Sequence, residues 1–246
     1  SRNLLDKCAL GIYESGQVGG SSTDFSKYIY WLTKLNSKTL DYLTNTNSEI
    51  CGHSYWATKA DKVEAAQIFA DKNLDYRMTE YCQMIGETQG LEMSYGLDLA
   101  NTIYEDLTIL NAKEWDWWAG VSAGVYCDGL IYVDKDTQKV TTSKRLYTLG
   151  NFSKFIEEGA KRVKSSTANT KLKSCAFVNT DGSLVIVYIN SSTSAQTDYI
   201  NASGYSKYSV YTTDSTKNLK NTKNATFKNY TGVSIPASSV TTVVLK

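Results

Sequence analysis

The apolar residues of this chain change their spacing near Lys161, and that change limits what the chain can fold into. Before it, short apolar runs alternate with amphipathic stretches. Cys8–Tyr13 (CALGIY), Glu49–Tyr55 (EICGHSY), Leu74–Glu80 (LDYRMTE) and Glu114–Ser122 (EWDWWAGVS) each read as a buried strand ending in polar or aromatic residues. Between and after them, Asp24–Leu43, Lys59–Lys72, Gly96–Leu110 and Ser143–Glu157 carry helical periodicity. Strand–helix alternation is the pattern of a parallel sheet with helices outside. Four such units make half of a (β/α)8 barrel, and about 160 residues fall short of the roughly 250 that a whole barrel takes. Beyond Lys161 the composition turns to Thr, Ser, Asn and Lys. Period-two alternation takes over in Ser174–Val178, Leu184–Asn190, Tyr205–Thr212 and Val240–Leu245, with turn signals such as Thr180-Asp181-Gly182 and Asn201-Ala202-Ser203-Gly204 between them. The expected architecture is α/β followed by all-β: half of a barrel over residues 1–160, then an antiparallel β-sandwich over 161–246.

Charge and composition narrow the function classes. A formal net charge of +1 argues against a nucleic-acid partner, which calls for a basic face. No apolar run reaches the ~18 residues of a membrane span. Five cysteines without a C-x-x-C pair, and a single histidine, argue against a zinc site and a full disulfide framework; no metal or cofactor is expected. The chain starts at Ser1 rather than Met, which suggests a processed or cut product. A half-barrel would expose open strand edges and a large apolar face, so a complementary N-terminal half is the expected partner.

In a (β/α)8 barrel the chemistry sits at the C-terminal ends of the strands. Here those ends are Glu14-Ser15-Gly16, His53-Ser54-Tyr55-Trp56, Thr79-Glu80-Tyr81 and Trp117-Trp118. A carboxylate ending an apolar strand is costly unless hydrogen-bonded or used. Acidic groups beside flat aromatic rings suit glycosidic cleavage, where one carboxylate attacks the anomeric carbon and another protonates the leaving oxygen. Aromatic residues make up 12% of the chain, and core packing explains that count as well as a sugar-binding surface does. Each candidate also has a plain structural reading: Glu80 paired with a lysine, Glu14 as a supporting group, His53 as a satisfied rim histidine. Strand alternation would send Trp117 and Trp118 to opposite faces. Cys8, Cys51 and Cys82 read as small core residues.

The series YESG, GHSYW, MTEYC and EWDWW, followed by DGLIYVD and KRLYTLGNFSKFIEEGAKRV, resembles glycoside hydrolase family 30, and the closing SIPASSVTTVVL is similar to that family's last strand. The resemblance covers essentially the whole chain. It implies a (β/α)8 barrel with an attached β-sandwich, and hydrolysis of β-linked glycans with retention. On it, Glu80 matches the nucleophile at the end of the seventh strand. His53 and Tyr55 match the sixth-strand residues beside it, Trp118 the eighth-strand tryptophan beneath the sugar, and Glu14 a fifth-strand cleft residue that is not the acid/base. Trp56 and Tyr126 complete the substrate-binding candidates. The family's acid/base follows an Asn in an Asn-Glu-Pro-like motif. This chain has one proline, Pro236, and no Asn-Glu pair. The first strand here corresponds to the family's fifth, so the acid/base is expected to lie outside these residues.

For the substrate, Ser122 stands where glucuronoxylanases of the family carry an arginine, and alternation turns Arg77 away from Glu80. A neutral chain is therefore expected, β-1,6-galactan first, with xylan and β-1,6-glucan open. A polymeric substrate implies a secreted protein, with glycosylation sequons at Asn151, Asn190, Asn201, Asn224 and Asn229 in a eukaryotic host. The rival readings are a non-catalytic carbohydrate-binding module and a half-barrel kept as a scaffold.

Overall fold

A computed structural model of the chain describes residues 11–19, 28–46 and 48–246. These form two compact units: one built on the residues up to Cys82 together with Glu105–Trp118, the other on Gln83–Tyr104 with Ala119–Lys246. The composition break at Lys161 falls inside the second.

In the first unit, strands β1 (Gly11–Ser15), β2 (Glu49–His53), β3 (Tyr76–Glu80) and β4 (Glu114–Trp115) make a sheet in that order, and every pairing is parallel. Residues 8–10 of the first expected strand lie outside the described residues. The helix expected over 24–43 is two, α1 (Tyr28–Thr33) and α2 (Ser37–Asn45). Asn36 starts the second by accepting the Thr39 N–H on its side chain at 3.0 Å. Helix α3 (Lys59–Asp71) opens with a capping box between Thr58 and Asp61. One face of the sheet, with Ile50, Tyr76 and Met78, closes on Leu32, Leu35, Leu43, Ala65 and Phe69.

The opposite face departs from expectation. It is charged rather than apolar: Arg77 lies between Glu49 and Glu114, with 2.7 Å to the Glu114 carboxylate. Period-two alternation along β2 and β3 sends the apolar residues to the helices and leaves the other side to these ion pairs.

Helix α4 (Met93–Thr108) supplies the polar centre of this unit. Asp106 is fully buried, and Lys62 beside it is 3% exposed. Lys62 Nζ stands 3.0 Å from Asp106 Oδ1, Ser54 donates to the same oxygen at 2.8 Å, and Trp115 Nε1 donates to Oδ2 at 2.9 Å. Burial pushes the Asp106 carboxyl up, and Lys62, Trp115 and Ser54 oppose that push. The loop after β2 is thereby tied to α3, α4 and β4.

The second unit holds a small sheet, β5 (Val121–Ser122), β6 (Ile131–Val133) and β7 (Val140–Thr142), then helix α5 (Lys144–Ser153) and a sandwich. The expected strand over 114–122 is thus split: β4 ends at Trp115, and Val121–Ser122 pairs with β6 instead. The sandwich strands are β8 (Lys161–Val163), β9 (Leu172–Val178), β10 (Leu184–Asn190), β11 (Gln196–Asn201), β12 (Lys207–Thr213), β13 (Lys220–Thr226), β14 (Tyr230–Ile235) and β15 (Ser239–Leu245). Six lie in the order β13-β12-β15-β10-β9-β8, and β11 pairs with β14 as the second layer. All of their pairings are antiparallel. Ile200, Val233 and Ile235 from the small layer meet Ile186, Tyr188, Val210 and Val243 from the large one. The outer face of the large sheet takes α5, where the Asn151 side-chain amide donates to Thr242 Oγ1 at 2.9 Å and the Asn151 backbone carbonyl accepts the Thr242 hydroxyl at 2.7 Å. Arg145 of α5 is fully buried, its guanidinium donating to the carbonyls of Gln89 (2.7 Å), Gly90 (2.6 Å) and Gly129 (3.0 Å) and to Tyr132 Oη (2.8 Å).

Two outcomes are expected. Asp106→Ala removes the nearer carboxylate of the buried Lys62 ammonium, leaving it Glu105 at 3.2 Å, and strands the Ser54 and Trp115 donors; it should cost about 3 kcal/mol in chemical denaturation. Asn151 and Asn190 are fully buried while Asn201, Asn224 and Asn229 are exposed. Peptide mass spectrometry after expression in a eukaryotic secretory host should find glycan on the latter three sequons and none on the former two.

Candidate active site

The ends of β1, β2 and β3 bring Glu14, His53, Tyr55, Thr79 and Glu80 together. Parallel register alone would align Gly52 with Met78 and then His53 with Thr79. A bulge instead sets His53 opposite Glu80, which advances Glu80 past the pleat. The segment after β1 holds the end of β2 in place, with the Val18 N–H donating to the His53 carbonyl at 2.6 Å.

Tyr55 makes the defining contact. Its Oη accepts the Cys82 N–H at 3.0 Å, which leaves its own proton to donate. Two acceptors lie in reach, Glu80 Oε1 at 3.1 Å and Cys82 Sγ at 3.5 Å. A carboxylate is the stronger acceptor, so we assign the proton to Glu80. Burial, then contact with Cys82 and the charge of Glu80, push the Tyr55 phenol well above its ordinary value. It therefore stays protonated and able to donate at any working pH.

His53 lies between two carboxylates. Its Nε2 is 2.6 Å from Glu14 Oε1 and its Nδ1 is 3.8 Å from Glu80 Oε1. An ionised carboxylate only accepts, so the Nε2 proton points to Glu14 and Nδ1 faces Glu80. Thr79 also donates to Glu14 Oε1. Glu14 is thus a brace across three strands, although its side chain is 58% exposed; the Glu80 side chain is 32% exposed.

Aromatic rings form the wall. Tyr55 stacks on Tyr81 at 5.4 Å and 20°, and Trp56 lies 5.6 Å from Tyr55. Trp56 is 69% exposed at φ +54°, a left-handed conformation that costs a bulky residue roughly 1–3 kcal/mol. Its carbonyl accepts from Gln17 Nε2 at 3.4 Å. The two tryptophans beyond β4 do separate, although no strand runs through them. Trp117 turns back onto Trp115 at 6.5 Å and Tyr81 at 6.2 Å. Trp118 keeps its indole 56% exposed, and its N–H donates at 3.0 Å to the carbonyl of Tyr81, the residue after Glu80. Tyr126 belongs to the other unit, where its Oη lies 3.5 Å from Met84 Sδ.

Sequence reasoning placed Ser54 and Tyr81 at strand ends without giving either a role, and missed Lys62 and Asp106. The last is one charge in a helix whose pattern looks like any solvated face; only its neighbours reveal it. No group of three or more His, Cys, Asp or Glu among the described residues can hold a metal ion. Cys51, Cys82, Cys127 and Cys175 are buried. No helix among the described residues is long and apolar enough to cross a membrane.

Asp116 follows β4, and burial, then the negative charge of Glu114, raise its carboxyl from an ordinary 3.8 to about 6. The folded state therefore holds this proton more tightly than the unfolded one does. Stability should fall as pH rises through that window and level off above it. Asp116→Asn should remove the fall and raise the melting temperature above pH 6; thermal unfolding of both proteins across pH 4–8 checks this.

Comparison with known proteins places these features. The family model described as O-glycosyl hydrolase family 30 matches residues 22–132, and that of the glycosyl hydrolase family 30 β-sandwich domain matches residues 159–243. Among solved structures, the chain is similar to a family 30 endoxylanase from Clostridium papyrosolvens C71, at 24% identity and a TM-score of 0.76 over 100% of this chain and 58% of that one. It is similar to a family 30 subfamily 8 xylanase from Clostridium acetobutylicum at 26% and 0.75, covering 99% and 57%. An endo-β-1,6-glucanase matches at 16% and 0.57, covering 83% and 42%. The chain therefore spans a little over half the length of the two xylanases. With the parallel half-sheet and the sandwich both matched in order, this chain belongs to glycoside hydrolase family 30, of which it contains part of the catalytic barrel and the β-sandwich domain.

Proposed function

We propose that Glu80 is the nucleophile of a retaining glycoside hydrolase that cleaves a β-linked polysaccharide. The observation that carries this reading is the Tyr55 hydrogen bond to Glu80 at 3.1 Å, made at a strand end walled by aromatic rings. A phenol held protonated can donate to that carboxylate and fix its orientation. In the first step a Glu80 oxygen attacks the anomeric carbon while an acid protonates the departing glycosidic oxygen. In the second, that group takes a proton from water, which displaces Glu80 from the sugar. Glu14 is committed to His53 and Thr79 and is not that acid. The acid/base comes from outside these residues, on a complementary N-terminal half of the barrel. His53 lines the strand end beside Glu80, while Trp56 and Trp118 offer exposed indole faces for pyranose rings.

The substrate reading is a neutral chain, because Arg77 is engaged by Glu49 and Glu114, and the family resemblance sets Ser122 where a uronate-binding arginine would be expected. β-1,6-Galactan and β-1,6-glucan are two assay substrates. Xylan is the third, favoured by the name of the 26% identical xylanase. Secretion follows from the size of such a substrate.

Glu80→Gln keeps the shape and removes the attacking charge. In the full-length protein it should lower kcat by several powers of ten, at least about 4 kcal/mol, with glycan affinity retained. Tyr55→Phe should cost about 1–2 kcal/mol, the scale of one hydrogen bond to a charged group. Turnover assays on the three glycans, with calorimetric binding alongside, measure both; near-full activity in Glu80→Gln would mean that another carboxylate attacks.

A further inference from the structure

The even net charge hides a strong separation. Residues 161–246 hold 11 Lys and Arg against 3 Asp and no Glu, while residues 1–160 hold 15 against 22. Within the basic part, a shallow groove of about 340 Å3 opens on the outer face of the large sheet. Phe155, Tyr211 and Val244 form its apolar lining, and Lys207, Ser209 and Lys246 its polar one.

Three features set this groove apart from the lysines that protect edge strands. Phe155 and Tyr211 lie 4.5 Å apart at 39°, a half-buried aromatic floor. Ser209 is linked to Asn224 of β13 by a 2.7 Å hydrogen bond, which sets a hydroxyl and an amide beside that floor. Most telling, Lys207 and Lys246 are direct cross-strand partners. Each donates its backbone N–H to the other's carbonyl at 3.0 Å, so both lysine side chains leave the sheet on one face. Like charges directly opposite each other destabilise a sheet. Lys207 makes no ion pair among the described residues, and Lys246 has only Asp181 at 3.9 Å. An anion drawn to both lysines would offset this pairing of like charges.

We propose that this groove binds the carboxylate-bearing sugars of an acidic polysaccharide. The lysine pair takes the carboxylate, the Phe155–Tyr211 floor takes the C–H face of the ring, and Ser209 with Asn224 takes hydroxyls. The domain would then anchor the enzyme to acidic polymers surrounding its neutral substrate, a role independent of Glu80. Aromatic faces and hydroxyl partners suit a pyranose better than a phosphate backbone, which favours a glycan over a nucleic acid.

The test is affinity electrophoresis of the full chain in gels containing polygalacturonate, neutral galactan or duplex DNA. Polygalacturonate should retard the protein, with little effect from the other two. Lys207→Ala/Lys246→Ala should weaken that retardation at least tenfold, whereas Lys161→Ala/Lys171→Ala, which removes equal charge at β8 and before β9, should leave it within twofold. The melting temperature of the Lys207/Lys246 variant should match or exceed that of the parent, which separates lost binding from lost folding. Absence of polygalacturonate binding, equal losses in both double variants, or equal retardation by DNA would overturn the proposal.

Discussion

Asp106 has no exposed surface, yet it is surrounded by groups that need it. Lys62 from α3, the Ser54 hydroxyl and the Trp115 indole all converge on its two oxygens. A buried carboxylate and ammonium together stabilise little relative to a well-packed apolar pair, because desolvation offsets their attraction. What they do is fix geometry. Ser54 lies between His53 and Tyr55, so the bond that satisfies Asp106 also sets where those two side chains leave β2. Trp115, held by the other oxygen, presents its ring to Tyr81, which in turn stacks on Tyr55. The arrangement around Glu80 thus rests on a polar contact made outside it.

This support has a chemical consequence. Tyr55 reaches Glu80 with its ring against Tyr81 and its oxygen receiving the Cys82 N–H, two constraints from the residues that directly follow β3. On the proposed role of Glu80, a phenol oriented in this way keeps its hydrogen bond without reorganising when charge shifts on that carboxylate. Glu14 does comparable work from the first strand, since His53 and Thr79 both point to one of its oxygens.

Much of this was legible in advance, and the reasons differ by element. The apolar runs before Glu14, His53 and Glu80 announced parallel strands because burial on a helix-covered face demands them. Leu184–Asn190 was equally plain, since β10 is buried along its entire length. Lys220–Thr226 was not, because KNTKNAT is an exposed edge strand whose pairing comes from β12 and not from its own pattern. Gln196–Asn201 and Tyr230–Ile235 were hidden for a related reason: each buries only one or two residues against the larger sheet. Tyr55 could be tied to Glu80 from motif order, but Asp106, 26 residues beyond Glu80, carries no local signal of its burial. Nor did the pairing of Lys207 with Lys246 show in the sequence, since it depends on strand register.

The assignment of Glu80 as nucleophile is tested most directly by trapping. The full-length protein, incubated with an activated 2-fluoro β-glycoside of its best substrate, should accumulate a glycosyl-enzyme whose breakdown the fluorine slows. Peptide mapping should then find one added sugar, on the peptide containing Glu80, and none in the Glu80→Gln variant. A sugar attached to Glu14, Asp116 or any other carboxylate would contradict the account, as would turnover with inversion and no adduct.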